Sequence, residues 1–274
     1  MLDIIILLIG ISGFSLAGYL DLKYTEFPDL IPYGMIALIL ITRVVFGFYL
    51  SDFTGLINSV LIGLVFLGIG LGMYFAKQWG DGDAWLLGVL GFLFPSGYFQ
   101  ASKLFVPSYL SALLNFFVIS FFYLVIYSII LGITKPKVRS AFSKRIKRQS
   151  KAKFSLCAIF FSLYFILLGF LSLTGIALNS AYLIIIFPAL IIFCILYLEY
   201  AKIIESDVFK RKIHVSKLRI GDVILSKRWR GLTQKEVSKL KSRGGYVWIK
   251  EGIRFAPVFL LTIIFTLFFG SILI

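Results

Sequence analysis

Asp21 and Asp83 are the two side chains in this 274-residue chain around which chemistry can be argued. Asp21 stands where the first apolar block ends. It opens Asp21-Leu22-Lys23-Tyr24-Thr25-Glu26-Phe27-Pro28-Asp29, a polar turn closed by a proline where the next apolar block starts. Asp83 closes Gly80-Asp81-Gly82-Asp83 where the fourth apolar block opens, a GxGD pattern expected well under once by chance at this composition. Glycines beside an acid permit unusual backbone angles and let another backbone approach closely, which makes Gly80 and Gly82 shaping residues. Two carboxylates at hydrogen-bonding distance share one proton. The ionised member takes a proton from a water that attacks a peptide carbonyl, and the protonated member donates to the carbonyl oxygen. Such a dyad needs no metal and no cofactor. Taken singly, each acid reads as an ordinary helix-end carboxylate, with Asp83 as a helix N-cap. Only their pairing carries the chemistry, so the elements that hold them decide.

Those elements are membrane helices. Hydrophobic residues make up 59% of the chain, 15% are charged, and the mean hydropathy is +0.96; soluble domains carry about 25% charged residues. Eight apolar blocks reach or approach the roughly 20 residues a bilayer crossing takes: 4–20, 30–50, 54–76, 84–100, 108–133, 154–174, 181–199 and 255–274. Gly88, Gly91, Pro95 and Gly97 interrupt the fourth. Lipid offers no partner for a free backbone group, so the fold class is an all-α polytopic transmembrane bundle. Two whole crossings separate Asp21 from Asp83, so both belong to one membrane face. Glu26, Asp29 and Asp81 share that face and could hold a basic peptide by ion pairing, or stand as solvated interface residues.

Charge sets the orientation. The net charge is +15, but the basic residues gather between apolar blocks, which argues for topology and against nucleic acid. The stretch 134–153, read as a basic loop, carries Lys135, Lys137, Arg139, Lys144, Arg145, Lys147, Arg148, Lys151 and Lys153 without an acid, and 200–254 is also strongly basic. Both belong on the cytoplasmic side of a cell membrane. Counting back, the N-terminus is external and the aspartate face is cytoplasmic. The first block lacks a basic start and reads as a retained helix, not a cleaved signal peptide. Cys157 and Cys194 lie in apolar segments, and the single histidine, His214, reads as an exposed loop residue, so neither a disulfide framework nor a metal site is expected. Within 200–254, Thr233 and Glu236 form a capping-box pattern, Gly244-Gly245 stops the helix, and Val223-Ile224-Leu225 and Tyr246-Val247-Trp248-Ile249 read as short strands. The segment is either a small subdomain or a basic loop near anionic headgroups.

An aspartate ending the first helix, a Pro-Asp after it and a GxGD opening the fourth resemble the archaeal type IV prepilin and preflagellin peptidases, which are GxGD aspartic proteases. The resemblance is best over residues 1–100 and extends loosely to Gly221-Asp222-Val223 and Lys250-Glu251-Gly252-Ile253. It implies Asp21 and Asp83 as the catalytic pair, with Gly80 and Gly82 shaping the second site. It also implies a pilin-like or archaellin precursor as substrate, cut at the cytoplasmic face after a short basic leader. The chain lacks the four-cysteine module of bacterial relatives and has more helices than the six of the family core. The implied division is a catalytic core at 1–133, the basic loop at 134–153, additional transmembrane helices at 154–199, a basic cytoplasmic subdomain at 200–254 and a final helix at 255–274.

Two other classes compete: a non-catalytic scaffold of a pilus or archaellum assembly, and an ion-coupled transporter. Against the transporter, no acid stands in the middle of an apolar block and no inverted repeat of broken helices is present. Pro188-Ala189-Leu190 matches the PAL motif of presenilin-like intramembrane proteases. In this chain Leu20, not a tyrosine, precedes Asp21, and both acids stand at helix ends, so a proline kink explains the match.

Overall fold

A computed structural model describes residues 2–94, 107–173, 181–218, 222–225, 231–250 and 252–270. The chain is an all-α, multi-pass membrane protein with short strands added. Its helices are α1 (Leu2–Tyr24), α2 (Leu30–Leu50), α3 (Thr54–Phe75), α4 (Asp81–Phe92), α5 (Ser108–Ile133), α6 (Pro136–Leu173), α7 (Ala181–Ile204), α8 (Gln234–Arg243) and α9 (Pro257–Phe269). Among the described residues α1, α2, α3 and α5 are long and apolar enough to cross a membrane. At 1.5 Å per residue each spans about 30 Å or more. Ile4, Leu8, Leu38, Ile41, Leu61 and Phe122 lie exposed on them, as lipid-facing side chains do.

The chain divides into two compact units. The first holds residues 1–124, 219–239 and 251–274; the second holds 125–218 and 240–250. In the first, Phe14, Phe66, Phe116 and Phe259 are fully buried. Phe259 of α9 stacks on Phe14 of α1 at 5.6 Å and on Phe116 of α5 at 5.0 Å between ring centroids. The C-terminal helix is thereby a wall of the core that carries Asp21. Small residues bring α3 and α4 together, the device membrane helices use where no hydrophobic drive separates lipid from protein. A β-carbon on Gly70 would fall 2.6 Å from the Ala84 carbonyl oxygen, and one on Gly63 would fall 2.5 Å from the Phe92 ring.

Two expectations change here. The fourth helix begins at Asp81, ahead of the expected residue 84, and its described length of 12 residues gives about 18 Å, less than a bilayer; Pro95 and Gly97 lie outside the described residues. The stretch 134–153 is not a loop, because α6 starts with Pro136 at its first position and runs 38 residues. Lysine, arginine and alanine are good helix formers, so positive charge alone did not mark a loop. Pro188 sits inside α7 without ending it.

In the second unit, Arg145 Nε of α6 donates to Glu199 Oε2 of α7 at 2.7 Å. Strand β1 (Lys210–His214) pairs antiparallel with β3 (Tyr246–Lys250), Lys210 opposite Lys250 and His214 opposite Tyr246. The sequence reading missed β1 because Lys210-Arg211-Lys212 carries no apolar alternation. His214 is exposed as expected but ends a strand, with its ring edge against Tyr246 at 5.2 Å. In the first unit Val223–Ile224 forms the short strand β2. The capping box is present: Glu236 Oε2 accepts from the Thr233 N–H and hydroxyl, both at 3.0 Å. Gly244 and Gly245 adopt φ of +68° and +98°, the left-handed backbone that ends α8.

Candidate active site

Asp21 lies one turn inside the end of α1, which continues to Tyr24. Its backbone carbonyl accepts the Thr25 N–H at 2.8 Å, and Thr25 takes φ of +66°, a left-handed conformation rare for a β-branched residue. The chain thus turns sharply after the helix and runs back through Phe27 and Pro28 to Asp29, the N-cap residue of α2. Asp21 is only 6% exposed. Its Oδ2 accepts the backbone N–H of Ala256, the N-cap residue of α9, at 2.9 Å. Arg254 lies within electrostatic range.

Asp83 is half-buried in the first turn of α4. Gly80, not Asp83, is the N-cap residue of that helix. Asp83 is its third residue and turns its carboxylate back toward the Gly80 N–H, the place a capping-box acid takes. The two acids in this first turn also complement the positive end of the helix dipole. Neither Gly80 nor Gly82 has a positive φ; Gly80 sits at an ordinary −73°. The expected unusual backbone angles are therefore absent, and the glycines act through space. A β-carbon on Gly82 would fall 2.6 Å from Phe27 Cζ, and one on Gly80 would fall 3.3 Å from Asp83 Oδ2. Gly82 is the seat for the ring that follows Asp21 in the chain, so the turn after α1 is drawn onto the start of α4.

Asp21 lies within electrostatic range of Asp83. Asp29 and Asp81 are likewise within range of one another, both exposed, beside the edge-to-face pair of Tyr33 and Trp85 at 4.7 Å. Glu26 is exposed in the turn between α1 and α2. The described residues include no group of three or more acids, histidines or cysteines arranged to hold a metal ion. An acid pair of this kind can activate a water and protonate a carbonyl oxygen between its members.

Residues 8–134 match the type IV leader peptidase family. The matched stretch takes in most of α1, all of α2 to α5 and both aspartates, and the likeness supports a leader peptidase with a pilin-type precursor as its general substrate. No curated protein and no solved structure matches the chain.

Sequence reasoning missed several supports of the site. Arg43, in the middle of α2, is 3% exposed and its Nη2 donates to the Leu93 carbonyl at 2.9 Å, holding the C-terminal end of α4. A lone arginine within an apolar block was the available signal. The Ser59 hydroxyl of α3 donates to the neighbouring carbonyl of Phe92. The bond from Ala256 to Asp21 left no trace in sequence, because a backbone N–H is common to nearly every residue.

Proposed function

We propose that this leader peptidase is an aspartic endopeptidase that removes the basic leader from pilin-like or archaellin precursors at the cytoplasmic membrane face. Asp21 and Asp83 form the dyad, Gly80 and Gly82 shape the second acid's setting, and Glu26, Asp29 and Asp81 receive the basic leader. The observation that supports this reading is the approach of α1 to α4, which puts the buried Asp21 within electrostatic range of the half-buried Asp83. The basic residues of α6 and of 200–254 support an orientation with the N-terminus outside and the acid pair facing the cytoplasm.

A scaffold reading has one bond in its favour: Asp21 could serve only to cap α9 through Ala256. Cleavage of a co-expressed precursor by wild type, Asp21→Asn and Asp83→Asn in membranes separates the two. Each substitution keeps size and removes the carboxylate. The proposal expects both variants to insert normally and to lose all cleavage. Retained cleavage by either variant makes that aspartate structural and ends the dyad assignment.

A further inference from the structure

Resting on that reading, we propose that the segment Arg254-Phe255-Ala256 is a clamp that positions both aspartates, so that the active site includes a part of the chain far outside residues 8–134. Three observations on different atoms converge on it. Ala256 donates its N–H to Asp21 Oδ2 at 2.9 Å. Phe255 is buried and its ring lies 5.7 Å from that of Trp79, the residue immediately before Gly80-Asp81-Gly82-Asp83. Tyr123 of α5 donates its hydroxyl to the Arg254 carbonyl at 2.6 Å, and its ring lies 6.5 Å from that of Phe255. One side of the tripeptide thus holds the first acid, and the other packs on the strut that leads into the second.

The approach of α9 to α1 is tight enough to make the clamp definite. A β-carbon on Gly18, one turn before Asp21, would fall 3.3 Å from the Pro257 Cα. Pro257 occupies the first turn of α9, where its missing N–H costs nothing, and leaves the Ala256 N–H as the donor aimed at Asp21. Trp79 in turn packs edge-on against Phe116 at 5.6 Å, and Phe116 lies under both Phe255 and Phe259. Fixing one carboxylate by a hydrogen bond and the other through an aromatic strut sets their separation, and misplacement of a reacting group by about 1 Å can cost about 10²-fold in rate. Ala256, Phe255, Tyr123 and Trp79 are positioning residues, since each acts through an aspartate.

The test is steady-state cleavage of a pilin-type precursor by the full-length protein. Ala256 has φ of −54°, which a proline ring accepts, so Ala256→Pro removes the Ala256 donor without changing that angle, while Ala256→Gly retains it; the Phe255 N–H, which also reaches Asp21, stays in both. The clamp predicts a fall in kcat of up to about 10²-fold for Ala256→Pro with KM unchanged, and near-normal kcat for Ala256→Gly. A wild-type kcat in an Ala256→Pro variant that accumulates in membranes overturns the proposal, and so does a raised KM at constant kcat. Should Ala256→Pro fail to accumulate, Tyr123→Phe decides, because it deletes one hydroxyl: a lower kcat at constant KM supports the clamp, and a wild-type kcat overturns it. Asp21→Asn is assayed beside them. Cleavage by Asp21→Asn sinks the dyad and the clamp together, whereas an inactive Asp21→Asn with a fully active Ala256→Pro sinks the clamp alone.

Discussion

Phe27 lies so closely over Gly82 that a β-carbon there would come within 2.6 Å of its Cζ and 3.1 Å of its Cε2. This contact joins the turn after Asp21 to the turn that carries Asp83, and it has a direct consequence. Gly82→Ala must push the ring away and separate the two turns, which should lower precursor cleavage by about tenfold or more. Gly80→Ala should cost less, because its β-carbon meets Asp83 Oδ2 at 3.3 Å, a contact relieved by a shift of a few tenths of an ångström. Adding Phe27→Leu, which removes the ring atoms in the way, should recover part of the Gly82→Ala loss. Cleavage rates of the three variants and the double mutant measure this coupling; equal losses at both glycines, or no rescue, would sink it.

That pair also marks how far the sequence could be read. The run from Asp21 to Asp29 and the Gly80–Asp83 pattern located both acids, because polar turns and glycines stand out between apolar blocks. Counting crossings assigned them to one face as an expectation. What Gly82 does was hidden, since its role depends on a ring more than fifty residues earlier in the chain. The clamp was hidden for the same reason: Ala256 and Asp21 are joined by a backbone donor 235 residues away. The helical course of 136–153 was misread because a run of like charges says which side of a membrane it occupies, not whether its backbone is coiled.

Helix α4 should depend on Gly70 for its seat. The β-carbon of Gly70→Ala would lie 2.6 Å from the Ala84 carbonyl oxygen and 2.9 Å from its Cα, backbone atoms that cannot swing aside. The expected cost is about 1–3 kcal/mol of overpacking, read as a lower thermal midpoint in detergent. Gly68 and Gly72 on the same helix have nothing within 4 Å of the added carbon, so alanine there should be neutral or stabilising by up to about 1 kcal/mol. An equal loss at all three positions would mean that close packing onto α4 is not the cause.

Arg43 should matter to stability more than to substrate affinity. Arg43→Met keeps a long apolar stem but leaves the Leu93 carbonyl without its guanidinium donor, which should cost about 1–3 kcal/mol. Leu93 lies at the far end of α4 from Asp83, so KM for the precursor should be unchanged. Thermal unfolding and KM measured on one preparation test both halves, and a raised KM with unaltered stability would contradict them.

The acidic surface beside Asp21 and Asp83 makes a prediction about substrate charge. Asp29 and Asp81 already act on one another, and Glu26 stands exposed in the neighbouring turn, so the face repels anions and attracts a basic segment. Exposed pairs contribute about 0–1 kcal/mol each, so no single acid should dominate. Reversing all three to lysine should raise KM for a precursor with a basic leader by roughly tenfold, with kcat little changed, because the reacting groups are untouched. The effect should shrink as salt is raised from about 0.01 M to 1 M, since the screening length falls from about 30 Å to 3 Å over that range. A precursor whose leader lysines and arginines are replaced by glutamine should cost wild type the same affinity and be indifferent to the reversal. An unchanged KM for the basic leader in the triple variant would remove these acids from substrate binding and leave them as solvated helix-end residues.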